Sequence, residues 1–115
     1  MKTVLIIDDE RDLADSLGAL LENSGYQVRV AYSGEQGLAS AAQVRPDAVI
    51  LDIAMPTMSG YDVARMLRKN YGSGLTIIAL TAWDDSRTLQ LAADAGFDTH
   101  LTKPAELSAL TRLLG

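Results

Sequence analysis

Thr3-Val4-Leu5-Ile6-Ile7 runs straight into Asp8-Asp9-Glu10, a short apolar stretch stopped by three consecutive acids. Apolar runs of this length, rich in β-branched side chains, predict strands, because a helix needs more residues to bury one face. The same signature returns at Gln27–Ala31, Ala48–Leu51, Thr76–Leu80 and Thr99–Thr102, and longer stretches with helical spacing separate the runs. The order reads βαβαβαβαβα.

In the first helix Leu13, Leu17, Leu20 and Leu21 fall on one stripe, and Asn23-Ser24-Gly25 supplies the stop, with Gly25 suited to the left-handed position beyond the last turn. Ser33-Gly34-Glu35-Gln36 opens the second helix, where Ser33 can cap the backbone and Gln36 can reach back to it; Pro46 ends it. The third starts at Ser59, carries Val63, Met66 and Leu67 inward and meets Gly72-Ser73-Gly74. The fourth spans about Asp85 to Ala95 and stops at Gly96, with Asp84 and Asp85 as N-terminal caps. A fifth follows Pro104 with Leu107, Leu110 and Leu113 at core spacing.

Strands separated by helices pair in parallel through right-handed crossovers, which implies an open sheet covered by helices on both faces. Five βα units predict an α/β doubly wound, flavodoxin-like fold with strand order 2-1-3-4-5, as one domain over residues 1–115. Ligands of such sheets bind beyond the carboxyl ends of the strands, near the switch between the first and third.

Composition narrows the chemistry. The 115 residues are 48% hydrophobic and include no cysteine, so thiolate metal sites and disulfides are excluded. The absence of cysteine fits a reducing compartment, and the first apolar run is too short for a signal peptide; together they make a cytoplasmic location the expectation. No apolar run approaches a membrane span. A formal charge of −5 argues against direct binding to nucleic acid and for a protein or a cation as partner.

The strand ends bring together Asp8 and Asp9, Asp52, Thr81 and Ala82, and Lys103-Pro104. Three carboxylates in one crevice repel by roughly 4 kcal/mol per pair at about 4 Å and an effective dielectric near 20, so a cation or a shared proton must compensate. All-oxygen ligands favour magnesium or manganese. Magnesium takes one or two carboxylates and keeps waters, which suits Asp9 and Asp52 directly and Asp8 through water. Asp52 can then serve as a nucleophile toward a phosphoryl group, with the cation and the Lys103 ammonium neutralising its oxygens and the Thr81 hydroxyl and Ala82 amide available as donors.

Ile6-Ile7-Asp8-Asp9-Glu10, Asp52-Ile53-Ala54-Met55-Pro56-Thr57-Met58-Ser59-Gly60, Leu80-Thr81-Ala82 and Leu101-Thr102-Lys103-Pro104 follow one another in an order and spacing that resembles the response-regulator receiver domains of two-component signalling, over essentially the whole chain. The resemblance implies a regulatory phosphoacceptor, not an enzyme in the usual sense. Asp52 would take a phosphoryl group from the phosphohistidine of a histidine kinase or a histidine phosphotransfer domain. Magnesium would be held by Asp8, Asp9, Asp52 and the main-chain carbonyl of Ala54, and the Lys103-Pro104 peptide would be cis.

By the same resemblance, the Thr81 hydroxyl is coupled to a rotatable aromatic on the last strand, where this chain has His100 in place of the commoner tyrosine or phenylalanine. Imidazole is smaller and titrates near neutral pH. The readout surface for a downstream protein would be the fourth helix, fifth strand and fifth helix. Gly96-Phe97-Asp98-Thr99-His100 looks like the receivers of hybrid kinases, and Ala105 stands where an aromatic often follows Lys-Pro. The chain stops at Leu114-Gly115, after the fifth helix, so the expectation is a free-standing receiver or one taken from something longer.

Taken singly, each residue has an ordinary explanation. An Asp-Asp pair is usually a solvated turn, a lone lysine is usually surface, Thr81 can be a turn residue, and His100 on an apolar strand is more often packed than a ligand. Trp83 and Tyr26 read as packing or rim residues, and the Met55–Gly60 stretch as a loop that Pro56 stiffens and in which Gly60 permits a tight approach. Joint placement at one set of strand ends is what favours function. A phosphatase of the haloacid-dehalogenase type would place its two acids two apart, whereas Asp8 and Asp9 are adjacent. A flavin carrier would need a first loop that cradles phosphate, and this one is acidic. A docking module without phosphorylation is disfavoured because every acidic, hydroxyl and lysine position is filled.

Overall fold

The computed structural model describes residues 2–83 and 85–115; Asp84, expected to share the capping of the fourth helix, lies outside them. The elements alternate as β1 (Thr3–Ile7), α1 (Arg11–Asn23), β2 (Gln27–Ala31), α2 (Gly34–Gln43), β3 (Ala48–Asp52), α3 (Gly60–Tyr71), β4 (Thr76–Thr81), α4 (Ser86–Ala95), β5 (Thr99–Thr102) and α5 (Leu107–Leu114), with one short 3-10 turn at Gly72–Gly74. All pairings are parallel, in the order β2-β1-β3-β4-β5. This is the doubly wound, flavodoxin-like sheet expected from the alternation. Strands β3 and β4 run one residue further than their apolar runs, so Asp52 and Thr81 are themselves the last strand residues.

Alternation along each strand divides the core in two. Val4 and Ile6, Ala48 and Ile50, and Ile78 and Leu80 pack with Ala14, Leu17 and Leu21 of α1 and with Leu110 and Leu114 of α5. Leu5 and Ile7, Val49 and Leu51, and Ile77 and Ala79 pack on the opposite face with α2, α3 and α4. Each fully buried leucine or isoleucine contributes about 1.5–3 kcal/mol, so both helical layers are strongly attached.

Three helical stripes differ from the sequence reading. In α1 the buried stripe is Ala14, Leu17, Gly18 and Leu21, while Leu13 and Leu20 lie outside the core at 37% and 47% exposure. In α3 Val63, Ala64 and Leu67 turn inward and Met66 faces solvent; in α5 Leu114 is buried in place of Leu113. Small residues account for the first two shifts. An added Cβ at Gly18 would come within 3.2 Å of Val30, so α1 lies close to the sheet on a face that size selects and hydropathy does not.

The helix ends follow their expected chemistry. The Ser33 hydroxyl accepts from the Gln36 amide, while the Gln36 side chain accepts from the Tyr32 amide, one residue before the cap. Ser59 caps α3 and Asp85 caps α4. Gly25 and Gly96 take positive φ at the stops of α1 and α4.

Candidate functional site

The parallel register sets the ends of the central strands side by side: Ile7 pairs with Leu51, and Asp52 with Leu80. Asp8 leaves β1 with its amide donating to the Ala31 carbonyl, and its Oδ1 accepts from the Glu10 amide at 3.0 Å. Asp52 ends β3, and its Oδ1 accepts from the Ala54 amide at 3.2 Å. Asp8 and Asp52 are almost wholly buried, Asp9 is exposed, and one oxygen from each of the three carboxylates lies within 4.8 Å of the others. Lys103 reaches in from beyond β5, with Nζ 3.2 Å from Asp52 Oδ2 and 3.6 Å from Asp8 Oδ2. Its peptide bond to Pro104 is cis.

Burial pushes the Asp52 carboxyl up to about 6, helped by the Asp8 charge and opposed by Lys103 and the Ala54 amide. Burial works against the Lys103 charge, but Asp52 and Asp8 outweigh it and raise the ammonium above its ordinary value. One lysine therefore leaves the acids undercompensated. Asp8 Oδ2 is buried with no hydrogen-bond partner, an arrangement that costs free energy unless another cation meets it. The donor set is all oxygen, and it fits a hard divalent ion such as magnesium.

Thr81 is buried at the end of β4, where its hydroxyl donates to the Trp83 carbonyl at 2.8 Å and accepts from the Trp83 amide at 2.9 Å. Ala82 and Ala54 are exposed at the rim. His100 pairs with Ala79, two residues before Thr81, so strand alternation puts Thr81 and His100 on the α4 side of the sheet. His100 is half-buried and lines a small cavity with Leu89, Ala92 and Phe97. The structure thus gathers Asp8, Asp9, Asp52 and Lys103 into one cleft, with Thr81 at the adjoining strand end and His100 set back toward α4. Wider grooves lie elsewhere: one runs by Glu22, Tyr26, Arg29 and Val44 at the outer edge of β2, away from the carboxylates.

Two residues do more than the sequence reading assigned to them. The tight approach expected of Gly60 is present and close, because an added Cβ would sit 2.4 Å from the Asp52 carbonyl and 2.6 Å from the Ile53 Cα. Its amide also donates to the Ile53 carbonyl, so α3 is stitched directly beneath the Asp52 backbone. Trp83 is 69% exposed, the rim alternative of the two expected, and its main chain is what holds the Thr81 hydroxyl. Sequence alone marks Gly60 as a place of close approach but not which backbone it meets, and a main-chain role such as that of Trp83 leaves no side-chain signal.

Comparison with known proteins places this geometry in a family. Residues 4–114 match the profile of the response regulator receiver domain. The response regulator MprA of Mycolicibacterium vanbaalenii is 41% identical over 107 residues, covering 93% of this chain and 46% of that protein. The chain therefore spans less than half the length of this curated relative. Among solved structures, the chemotaxis protein CheY4 of Vibrio cholerae superposes with a TM-score of 0.93 at 29% identity, covering 99% of this chain and 96% of that one. The response regulator TrrA of Thermotoga maritima, solved in complex with Mg2+ and BeF, gives a TM-score of 0.87 at 33% identity, covering 99% and 96%.

The chain belongs to the response regulator receiver domain family of two-component systems, a regulatory domain rather than an enzyme of the usual kind. None of the helices among the described residues is long and apolar enough to cross a membrane.

Proposed function

We propose that residues 1–115 form a phosphoacceptor switch in which Asp52 receives a phosphoryl group from the phosphohistidine of a histidine kinase or a histidine phosphotransfer domain, as a step of a phosphorelay. The observation that carries this reading is the convergence of Asp8, Asp9 and Asp52 around one point, with Lys103 3.2 Å from Asp52. A carboxylate oxygen of Asp52 forms a bond to phosphorus as the N–P bond of the donor breaks, and the leaving imidazole keeps the electron pair. Asp52 must be ionised to attack, which above about pH 6 it is.

Asp8, Asp9, Asp52 and the Ala54 carbonyl would hold magnesium, or manganese, whose positive charge would offset that of the phosphoryl oxygens. The Lys103 ammonium, already between Asp52 and Asp8, stays close to those oxygens and shares in neutralising them. The Ala82 amide and the Thr81 hydroxyl supply further donors, the latter by giving up its bonds to Trp83. Water slowly cleaves the resulting acyl phosphate and restores the carboxylate.

Thr81 and His100 border the face made by α4, β5 and α5, which is the proposed surface for a downstream protein. Two new charge-assisted hydrogen bonds at about 1.5–3 kcal/mol each approach the ~5.5 kcal/mol needed to move an equilibrium from 1:99 to 99:1. The acidic balance of −5 speaks against direct contact with nucleic acid through this domain, and a cytoplasmic location follows from the proposed kinase partner. Phosphotransfer from acetyl phosphate tests the reading: labelling is expected only with Asp52 and a divalent ion present, and equal labelling of Asp52→Asn would overturn it.

A further inference from the structure

Helix α4 is held very differently at its two ends. Its buried residues, Ala92 and Ala95, both lie in the C-terminal half, and Phe97 just beyond is buried as well. In its N-terminal half Ser86, Arg87 and Gln90 are exposed and Thr88 and Leu89 half-buried, and among the described residues the Asp85 side chain bonds within the helix, to the Thr88 amide and hydroxyl. Ahead of that half, Trp83 is bonded to the end of β4 through its amide and carbonyl, both to the Thr81 hydroxyl.

The C-terminal end is gripped by one side chain from α3. Arg68 Nη2 and Nε donate to the Gly96 carbonyl at 2.6 and 3.2 Å, Nη1 donates to the Gly72 and Leu75 carbonyls at 2.7 Å each, and Nη2 also donates to Asp98 Oδ2 at 2.9 Å. Asp98 Oδ2 in turn accepts from the Ile77 amide at 2.7 Å, tying the same knot to β4. Gly96 has φ +107, and a Cβ there would press on Arg68 Cβ and Cγ at 3.3 Å. A planar guanidinium with its donors fixed in a fork satisfies these carbonyls together, which a lysine ammonium cannot do. This cluster sits at the amino ends of the strands, opposite Asp52, and takes no part in the phosphoacceptor cleft.

We propose that Arg68 pins the C-terminal end of α4, so that the helix works as a lever with its pivot at Gly96 and its travel at the end next to Trp83. The inference rests on the phosphoacceptor reading for the drive: when the Thr81 hydroxyl turns to a phosphoryl oxygen, its bonds to Trp83 break and the less buried half of α4 is released. Because the other end stays bound to α3 and β4, movement is graded along the helix instead of shifting it as a unit. Arg68 is thus a positioning residue for the output face.

Residue-resolved hydrogen exchange on the full chain, with and without magnesium and beryllofluoride, tests the lever. In the wild type the ligand-induced change should concentrate at residues 85–89 and be small at 92–98. Arg68→Lys should speed exchange at Gly96, Phe97 and Asp98 by about tenfold or more and spread the ligand response through 92–98. A merely structural arginine would speed exchange without redistributing the response. Equal ligand-induced changes at both ends of α4 in the wild type, or an unaltered distribution in Arg68→Lys, would overturn the proposal. Should Arg68→Lys fail to fold, Asp98→Asn is judged by the same redistribution, at smaller amplitude, since the bonds to Gly96 remain. If beryllofluoride changes neither exchange near Asp52 nor Trp83 fluorescence, the phosphoacceptor reading fails; the ligand-free exchange of Arg68→Lys at 96–98 then decides the pin, unchanged rates sinking it.

Discussion

Asp52→Asn should make the metal-free domain more stable at neutral pH. The Asp52 carboxyl stands at about 6 against an ordinary 3.8 because burial and the Asp8 charge outweigh Lys103. A carboxyl raised in the folded state binds its proton more tightly folded than unfolded, so stability falls as pH rises from about 4 and the full cost is present above about 6. The gap corresponds to about 3 kcal/mol as an upper figure. Asparagine keeps the shape but presents its NH2 to either Lys103 or the Ala54 amide, which trims the expected gain to roughly 1–3 kcal/mol, or about 4–12 °C in melting temperature for a domain of this size. Urea unfolding of both proteins between pH 4 and 8 in chelator measures it. The advantage of the variant should be near zero at pH 4, grow through pH 6, and shrink on adding magnesium, which stabilises the wild type more. A variant less stable than wild type at pH 7.5 without metal would refute the electrostatic reasoning.

Gly60→Ala should cost about 3 kcal/mol or more and slow phosphotransfer together with it, because the new methyl lands on the Asp52 carbonyl; a loss under about 0.5 kcal/mol in denaturant titration would contradict the close approach. Thr57 has φ +70, and the Met58 amide donates to the Pro56 carbonyl at 2.7 Å, which makes it the centre of a γ-turn of the strained hand. Thr57→Gly should therefore raise stability by about 1 kcal/mol, read from the urea midpoint at unchanged slope, and a fall in stability would show no strain there. Lys103→Ala should still accept some phosphoryl but respond poorly, so an undiminished beryllofluoride-induced spectral change would count against its role. His100→Tyr should alter that conformational change more than the labelling rate, and a large loss of labelling would place His100 in the chemistry instead.

The topology was legible because short strand-like runs alternate with helical spacing, and the central ones are apolar and meet polar residues at their carboxyl ends, which parallel pairing forces together. Asp8, Asp52 and Lys103 were found through that rule, though they lie far apart in sequence. Helix faces were less legible: Leu13, Leu20, Met66 and Leu113 carry strong hydropathy, yet Ala14, Gly18 and Ala64 occupy the inner stripe because the backbone comes close there. The backbone that Gly60 meets and the role of Arg68 were beyond reach for a similar reason. A missing Cβ and a guanidinium fork acquire meaning only from carbonyls that chain folding delivers, from Asp52 in one case and from Gly72, Leu75 and Gly96 in the other.

The most direct measurement is the chemical location of the transferred group. After incubation with a phosphohistidine donor and magnesium, borohydride reduction and peptide mass spectrometry should find the acyl phosphate at Asp52 and nowhere else. Reduction at Asp8 or Asp9, or a phosphate on Thr81 that survives hydroxylamine, would contradict the account.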